Sequence, residues 1–182
     1  IDKLSERIII KKLREDYPKY SILSEEEGEI NNNSEYLWVI DPLDGTNNYA
    51  NGIPIFAISI ALQYKGDTIL GVIYAPYINE MYTAIKGEGA YLNSTKIKIG
   101  EKDSLLQSII STGFPYDKAI NKANNISYAT EIIPKIRGFR RSGSAAIDLA
   151  YVAAGFLDGY WEMNINPWDV EAGILLVKDW RI

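Results

Sequence analysis

The chain has 182 residues, 47% of them hydrophobic, which is enough for one domain with a sizeable core. Its formal charge of -5 and the lack of a basic cluster argue against nucleic acid as a main partner. Neither cysteine nor histidine occurs, which excludes disulfides, Ser-His-Asp and Cys-His catalysis, and zinc held by His or Cys. Hydrolytic chemistry in this chain must rest on carboxylates and a hard metal. No apolar run approaches the roughly 20 residues of a bilayer span, and no signal-peptide pattern opens the sequence. No membrane partner is expected, and the expected compartment is the cytoplasm. The sequence starts at Ile1 rather than Met and stops at Lys178-Asp179-Trp180-Arg181-Ile182, straight after an apolar helical pattern. A chain truncated at both ends is therefore expected.

Residues 2–16 place Leu4, Ile8, Ile9 and Leu13 at helical spacing, with Ser5, Glu6, Lys11, Lys12 and Arg14 expected outward. Tyr17-Pro18 ends this amphipathic helix. A short strand over 21–23 leads into the acidic run Glu25-Glu26-Glu27-Gly28-Glu29, and the polar residues 28–35 read as a loop or loose hairpin. Residues 37–40 are apolar and β-prone, a buried strand that Pro42 is expected to stop. After a loop over 49–54, strands are expected at 55–64, 68–74, 80–85 and 89–92, joined by turns at Lys65-Gly66-Asp67 and Lys86-Gly87-Glu88. The first half thus reads as a helix followed by an antiparallel sheet. Beyond it come a buried strand over 105–112, a polar helix over 121–135, and a helix capped by Ser142-Gly143-Ser144 that runs to about Ala154. A strand over 157–163 and a last helix over 167–177, with proline in its first turn, complete the chain. Trp38 and Trp168 are expected in the core. The alternation is that of an α/β (α+β) protein.

Residues 38–46, Trp38-Val39-Ile40-Asp41-Pro42-Leu43-Asp44-Gly45-Thr46, carry the chemistry. Asp41 falls at the carboxyl end of a strand, where ligands of layered α/β folds bind. Asp44 has the chemistry of a helix N-cap, and the N–H groups of Gly45, Thr46 and Asn47 would point out of the new helix as a phosphate seat. Two carboxylates three residues apart, beside a phosphate, repel each other unless a cation lies between them, and magnesium takes oxygens of this kind. Asp-Pro-x-Asp-Gly is equally ordinary turn chemistry. These six residues alone leave the two readings level; the rest of the chain decides.

Residues 38–47 resemble the first signature of the inositol monophosphatase family, the magnesium-dependent, lithium-sensitive sugar phosphatases. Pro167-Trp168-Asp169-Val170-Glu171-Ala172-Gly173 resembles the second signature. Arg141-Ser142-Gly143-Ser144-Ala145-Ala146 is similar to the family's glycine-serine-alanine helix start, and Ser24-Glu25-Glu26 to its Gly-Glu-Glu metal segment. The four motifs stand in family order over nearly the whole chain. The resemblance implies a layered α-β-α-β-α sandwich, with one domain over 1–182. Residues 1–100 would form its metal-site half and 101–182 its substrate-side half.

It further implies two to three magnesium ions. Glu25, Asp41 and the backbone carbonyl of Leu43 would hold the first, and Asp41, Asp44 and Asp169 the second. Glu26 would assist a third through water. Thr46, with Glu25 or Asp2, would orient the attacking water, and the amides of Gly45 and Thr46 would bind phosphate. Asp44, Ala145, Glu162 and Asp169 would face the substrate, with Glu162 against a hydroxyl. The implied reaction is hydrolysis of a small sugar or polyol phosphate such as inositol 1-phosphate, by in-line attack of metal-activated water. Fructose 1,6-bisphosphatase activity, alone or as a second substrate, is the alternative, suggested by Asn166-Pro167-Trp168-Asp169. A homodimer is implied as well. Three successive glutamates leave the register of Glu25 against Glu26 and Glu27 open. Glu171 replaces an alanine common in relatives, and the threonine that precedes Asp2 in the family lies before Ile1. Phosphatases of the haloacid-dehalogenase type also place aspartates after a strand, but two residues apart, whereas Asp41 and Asp44 are three apart with Pro42 between. A metal-binding but inactive interaction protein is a further alternative, although no signature ligand is replaced.

Overall fold

Successive side chains along the strand at residues 36–44 point to opposite faces, and both faces are buried. A strand buried on both sides needs a layer on each, and that requirement sets the architecture. The computed structural model describes residues 1–115, 119–122 and 124–179. Its larger sheet has eight strands: β1 (Ser21–Ser24), β2 (Gly28–Ile30), β3 (Tyr36–Asp44), β4 (Ala57–Tyr64), β5 (Asp67–Ala75), β6 (Glu80–Ile85), β7 (Gly89–Leu92) and β8 (Thr95–Lys96). Their order is β2-β1-β3-β4-β5-β6-β7-β8. From β3 onward every pair is antiparallel, whereas β1 pairs with β3 in parallel, because β2 folds back between them in sequence.

Helix α1 (Asp2–Asp16) covers one face, where Ile10, Ile22, Trp38 and Ile40 form a core. On the other face, Val39, Ala61 and Ile73 pack against α4 (Ala145–Ala153) and α5 (Pro167–Lys178), through Ala146, Ala150, Ala172 and Leu176. Alanines on the helices permit a close approach. A Cβ added to Gly71 on β5 would stand 2.8 Å from the carbonyl oxygen of Ala172. A second sheet, of three parallel strands in the order β10-β9-β11, packs on α4 from the far side. Its strands are β9 (Ile109–Thr112), β10 (Gly138–Arg140) and β11 (Gly159–Trp161), and α3 (Ile126–Ile132) lies between β9 and β10 in sequence. The layered sandwich is the one expected.

Several local expectations are corrected. Pro42 does not stop β3. Pairing resumes at Asp44 against Ala57, and Pro42 and Leu43 together face Ile58 in a bulge, where proline's missing N–H costs no ladder bond. Glu6 does not face outward; it is 1% exposed, while Leu4 and Ile8 are exposed. The buried face of α1 follows Glu6 and Ile10, because the Glu6 carboxylate has amide partners inside. The strand expected over 105–112 begins only at Ile109, after a 3-10 turn (Leu105–Gln107) that exposes Leu105 and Leu106. The helix expected over 121–135 is α3 followed by a 3-10 turn (Ile133–Lys135) containing Pro134; residue 123 lies outside the described residues. Tyr49 and Ala50, expected in a loop, end a short helix α2 (Thr46–Ala50). Trp38 is buried and Trp168 packs against the larger core, as expected.

Candidate metal and phosphate site

The bulge in β3 turns Asp41 and Asp44 towards the same side. Asp41 is 1% exposed, and its Oδ1 accepts the N–H of Leu43 at 2.9 Å. Asp44 does not cap the helix that follows it, contrary to expectation. Gly45 is the N-cap of α2, in a left-handed conformation (φ 93°), and a Cβ there would meet the carbonyl of Ile55 at 2.9 Å. Asp44 bonds instead to the start of α4. Its Oδ2 accepts the Ser144 hydroxyl at 2.5 Å and the N–H of Ala146 at 2.7 Å. The helix end still receives a carboxylate, but from another layer. Asp169 enters from α5, where its side chain completes a capping box by accepting the N–H of Asn166 at 3.0 Å.

One carboxylate oxygen each from Asp41, Asp44 and Asp169 lies within 4.8 Å of the others. Among the described residues, no lysine or arginine forms an ion pair with any of the three. Burial, then the charges of Asp44 and Glu25, pushes Asp41 up to about 10. Burial likewise raises Asp44 to about 7, against the pull of its bonds from Ser144 and Ala146. Asp169 is raised by burial, and Glu25 by partial burial, with the charges of Asp169, Glu26 and Asp2 adding to it. Three converging carboxylates that resist ionising together have the donor chemistry of a hard divalent cation site. These residues fit magnesium.

The cluster forms the floor of a cavity of about 380 Å³. Of the expected residues, Glu25, Asp41, Leu43, Asp44, Gly45, Thr46, Ala145, Glu162 and Asp169 line it. Asp2 and Glu26 do not. Asp2 stands behind Thr46, whose hydroxyl reaches the Leu43 carbonyl at 3.0 Å and Asp2 Oδ2 at 3.5 Å. Glu26 faces a separate cavity of about 160 Å³ with Lys3, Glu6, Arg7 and Glu27. Within the acidic run, then, Glu25 is the glutamate on the side of Asp41. Its neighbours are turned away because the amides of Glu26 and Glu27 bond to Glu6 Oε1, at 3.1 and 3.3 Å. Glu171 is apart from the site and accepts the Thr68 hydroxyl at 2.5 Å.

Sequence reasoning missed three contributors. Ser144 serves Asp44 as well as its own helix. Glu6 holds the acidic turn, and its spacing to Ile10 and Leu13 was the available signal. Asp148, 2% exposed, lines the cavity and is pushed up to about 6, chiefly by burial. Its signal was a lone carboxylate within Ala145-Ala146-Ile147-Asp148-Leu149-Ala150.

Comparison with known proteins agrees with this geometry. A profile described as "Inositol monophosphatase family" matches residues 1–180. The curated protein "Nus factor SuhB" of Pasteurella multocida is 43% identical over 180 residues, covering 98% of this chain and 67% of the relative. "Inositol-1-monophosphatase" of Mesorhizobium japonicum is 40% identical over 179 residues, covering 98% and 67%. The chain thus spans about two thirds of the length of these relatives. The solved inositol monophosphatase from Anabaena (Nostoc) sp. PCC 7120 superposes with a TM-score of 0.95 at 45% identity, covering 98% of this chain and 71% of that one.

Proposed function

This chain belongs to the inositol monophosphatase family, and from that premise we propose that it is a magnesium-dependent phosphomonoesterase acting on inositol 1-phosphate or a closely similar polyol phosphate. One observation carries the reading: the oxygens of Asp41, Asp44 and Asp169 converge within 4.8 Å at the floor of a cavity.

In this proposal Glu25, Asp41, the Leu43 carbonyl, Asp44 and Asp169 would hold two magnesium ions, while Glu26, which faces the neighbouring cavity, could reach a third only through intervening water. When bound, the metal supplies Lewis-acid stabilisation of phosphate charge and a nucleophilic water near neutral pH. The amides of Gly45 and Thr46 bind the phosphate oxygens. Thr46, held by the Leu43 carbonyl and backed by Asp2, orients the attacking water, and Glu25 accepts its proton. Ala145 and Glu162 meet the leaving polyol from the opposite wall, next to Asp44 and Asp169. The chain works as one unit, in which residues 1–100 bring most of the metal ligands and 101–182 bring the substrate wall and Asp169. We further assign it to the cytoplasm, as a homodimer without a nucleic-acid partner. Among the described residues, no helix is long and apolar enough to cross a membrane.

The test is phosphate release from inositol 1-phosphate and from fructose 1,6-bisphosphate while magnesium is titrated, with Asp44→Asn as control. Magnesium-dependent turnover of inositol 1-phosphate that the control loses supports the reading. Faster turnover of the bisphosphate makes it a fructose 1,6-bisphosphatase. The relative named a Nus factor motivates a second reading, an interaction protein that binds metal without turnover. A magnesium isotherm with no phosphate release from either substrate would favour it.

A further inference from the structure

Gly113 follows the last residue of β9, and its backbone does not account for its being glycine. Its φ lies outside the left-handed region, so any residue could adopt the conformation. What a side chain there would displace is the Glu162 carboxylate, the free end of a flexible side chain. A Cβ on Gly113 would fall inside the van der Waals envelope of both carboxylate oxygens and of Cδ. The register explains the encounter. Thr112 pairs with Trp161 in the parallel β9–β11 ladder, so Gly113 and Glu162 emerge side by side from the strand ends. The Thr112 hydroxyl donates to the Trp161 carbonyl at 2.5 Å and fixes that register. On the far side, the Gly113 carbonyl accepts Asn125 Nδ2 at 2.6 Å. Gly113 is therefore held beside Glu162 by the register of its neighbour Thr112 on one side and by Asn125 on the other. The Glu162 carboxylate is in turn held by the Tyr160 hydroxyl, which donates to Oε2 from two residues back on the same strand face. Glu162 and Gly113 both line the cavity that contains the acid cluster.

We infer that Gly113 and Tyr160 are positioning residues: together they set where the Glu162 carboxylate stands in the cavity wall, and so which arrangement of hydroxyls on the leaving polyol is accepted. The inference rests on the functional reading above. Gly113 leaves the room the carboxylate occupies, and Tyr160 keeps the carboxylate in it. Neither needs to touch the substrate.

KM and kcat are to be measured for inositol 1-phosphate and for p-nitrophenyl phosphate, whose leaving group offers no hydroxyl pattern. The enzymes are wild type, Gly113→Ala, Tyr160→Phe, Glu162→Ala, and the two double variants that contain Glu162→Ala. Gly113→Ala and Tyr160→Phe are each expected to raise KM for inositol 1-phosphate about tenfold, with a several-fold smaller rise for the aryl phosphate. In the Glu162→Ala background neither should add to the effect, since the group they act through is gone. An equal rise for both substrates, or an effect that persists without Glu162, would overturn the inference. Should Gly113→Ala fail to fold, Tyr160→Phe and its double variant decide it by the same criteria. Failure of the functional reading looks different: wild type would show no magnesium-dependent turnover of inositol 1-phosphate, and both proposals would fall together.

Discussion

The hydroxyl of Ser144 donates to Asp44 Oδ2 at 2.5 Å across 100 residues of sequence, while its oxygen accepts the N–H of Ile147 in its own helix. One side chain thus caps α4 and holds a candidate metal ligand. Ser144→Ala is expected to cost about 1 kcal/mol of stability as a lost cap. It should also weaken magnesium activation about 10- to 100-fold, as loss of an outer partner of a ligand does. Urea denaturation and a magnesium titration of turnover measure the two effects separately. A variant that loses stability but keeps its magnesium dependence would reduce Ser144 to a cap.

Glu6 gives a second prediction, far from the reacting atoms. It is buried, and its Oε1 takes the amides of Glu26 and Glu27, which turns Glu25 towards Asp41. Glu6→Leu leaves two amides without that acceptor and should destabilise the chain by about 2 kcal/mol. Glu6→Gln keeps an acceptor and should retain most of the stability. The leucine variant should need about tenfold more magnesium for half-maximal rate, by the same outer-partner logic. Thermal unfolding together with magnesium titration of both variants checks this, and unchanged magnesium dependence in the leucine variant would refute it.

The acid cluster sets a pH dependence whose sign is fixed. Asp44 is raised to about 7 and Asp41 to about 10, both first by burial, from an ordinary value of 3.8. A carboxyl raised on folding keeps a proton that the unfolded chain has released. Its contribution is complete below the unfolded value and is lost as pH rises through the folded one. Without divalent cation, the chain should therefore lose stability from about pH 4 to about pH 7 through Asp44, and further above that through Asp41. Magnesium should flatten this slope, and so should Asp41→Asn. Melting curves in chelator and in magnesium across that range provide the measurement. Identical slopes for wild type and Asp41→Asn in chelator would contradict the assignment.

Gly71 supplies a prediction about the fold alone. A Cβ there meets the Ala172 carbonyl at 2.8 Å, a backbone atom that cannot swing aside. Gly71→Ala should push α5 off β5 and cost about 1–3 kcal/mol, the usual range for overpacking. Because Asp169 rides on α5, turnover should fall in parallel with the urea midpoint.

The long periodic segments were legible in the sequence. Strands β6 and β7 and helix α1 have the expected bounds, because alternation and helical spacing report where an element begins and ends. For α1, though, the spacing pointed to Leu4 and Ile8 rather than to the buried Glu6 and Ile10. The pair Asp41 and Asp44 was legible because neighbouring acids imply a shared cation, and Asp169 was placed with them by the resemblance of its motif. The role of Asp44 was not legible. Local chemistry offered it the next helix as an N-cap, whereas a partner 100 residues away held it instead. Glu6 was misplaced for a related reason: charge argued for solvent, and the amides that donate to its carboxylate inside come from another segment. The strands β8 and β10, of two and three residues, are too short to carry a period.

The meander from β3 to β8 pairs each strand with its neighbour in sequence, so its turns close short loops. The carboxylate cluster instead needs Asp41 and Asp44 to meet a helix start at Ser144 and a side chain at position 169. Contacts of such long sequence separation form slowly. During refolding, sheet signal should return before phosphate release does. Turnover then marks the moment α4 and α5 have docked on the larger sheet, a property circular dichroism alone would miss.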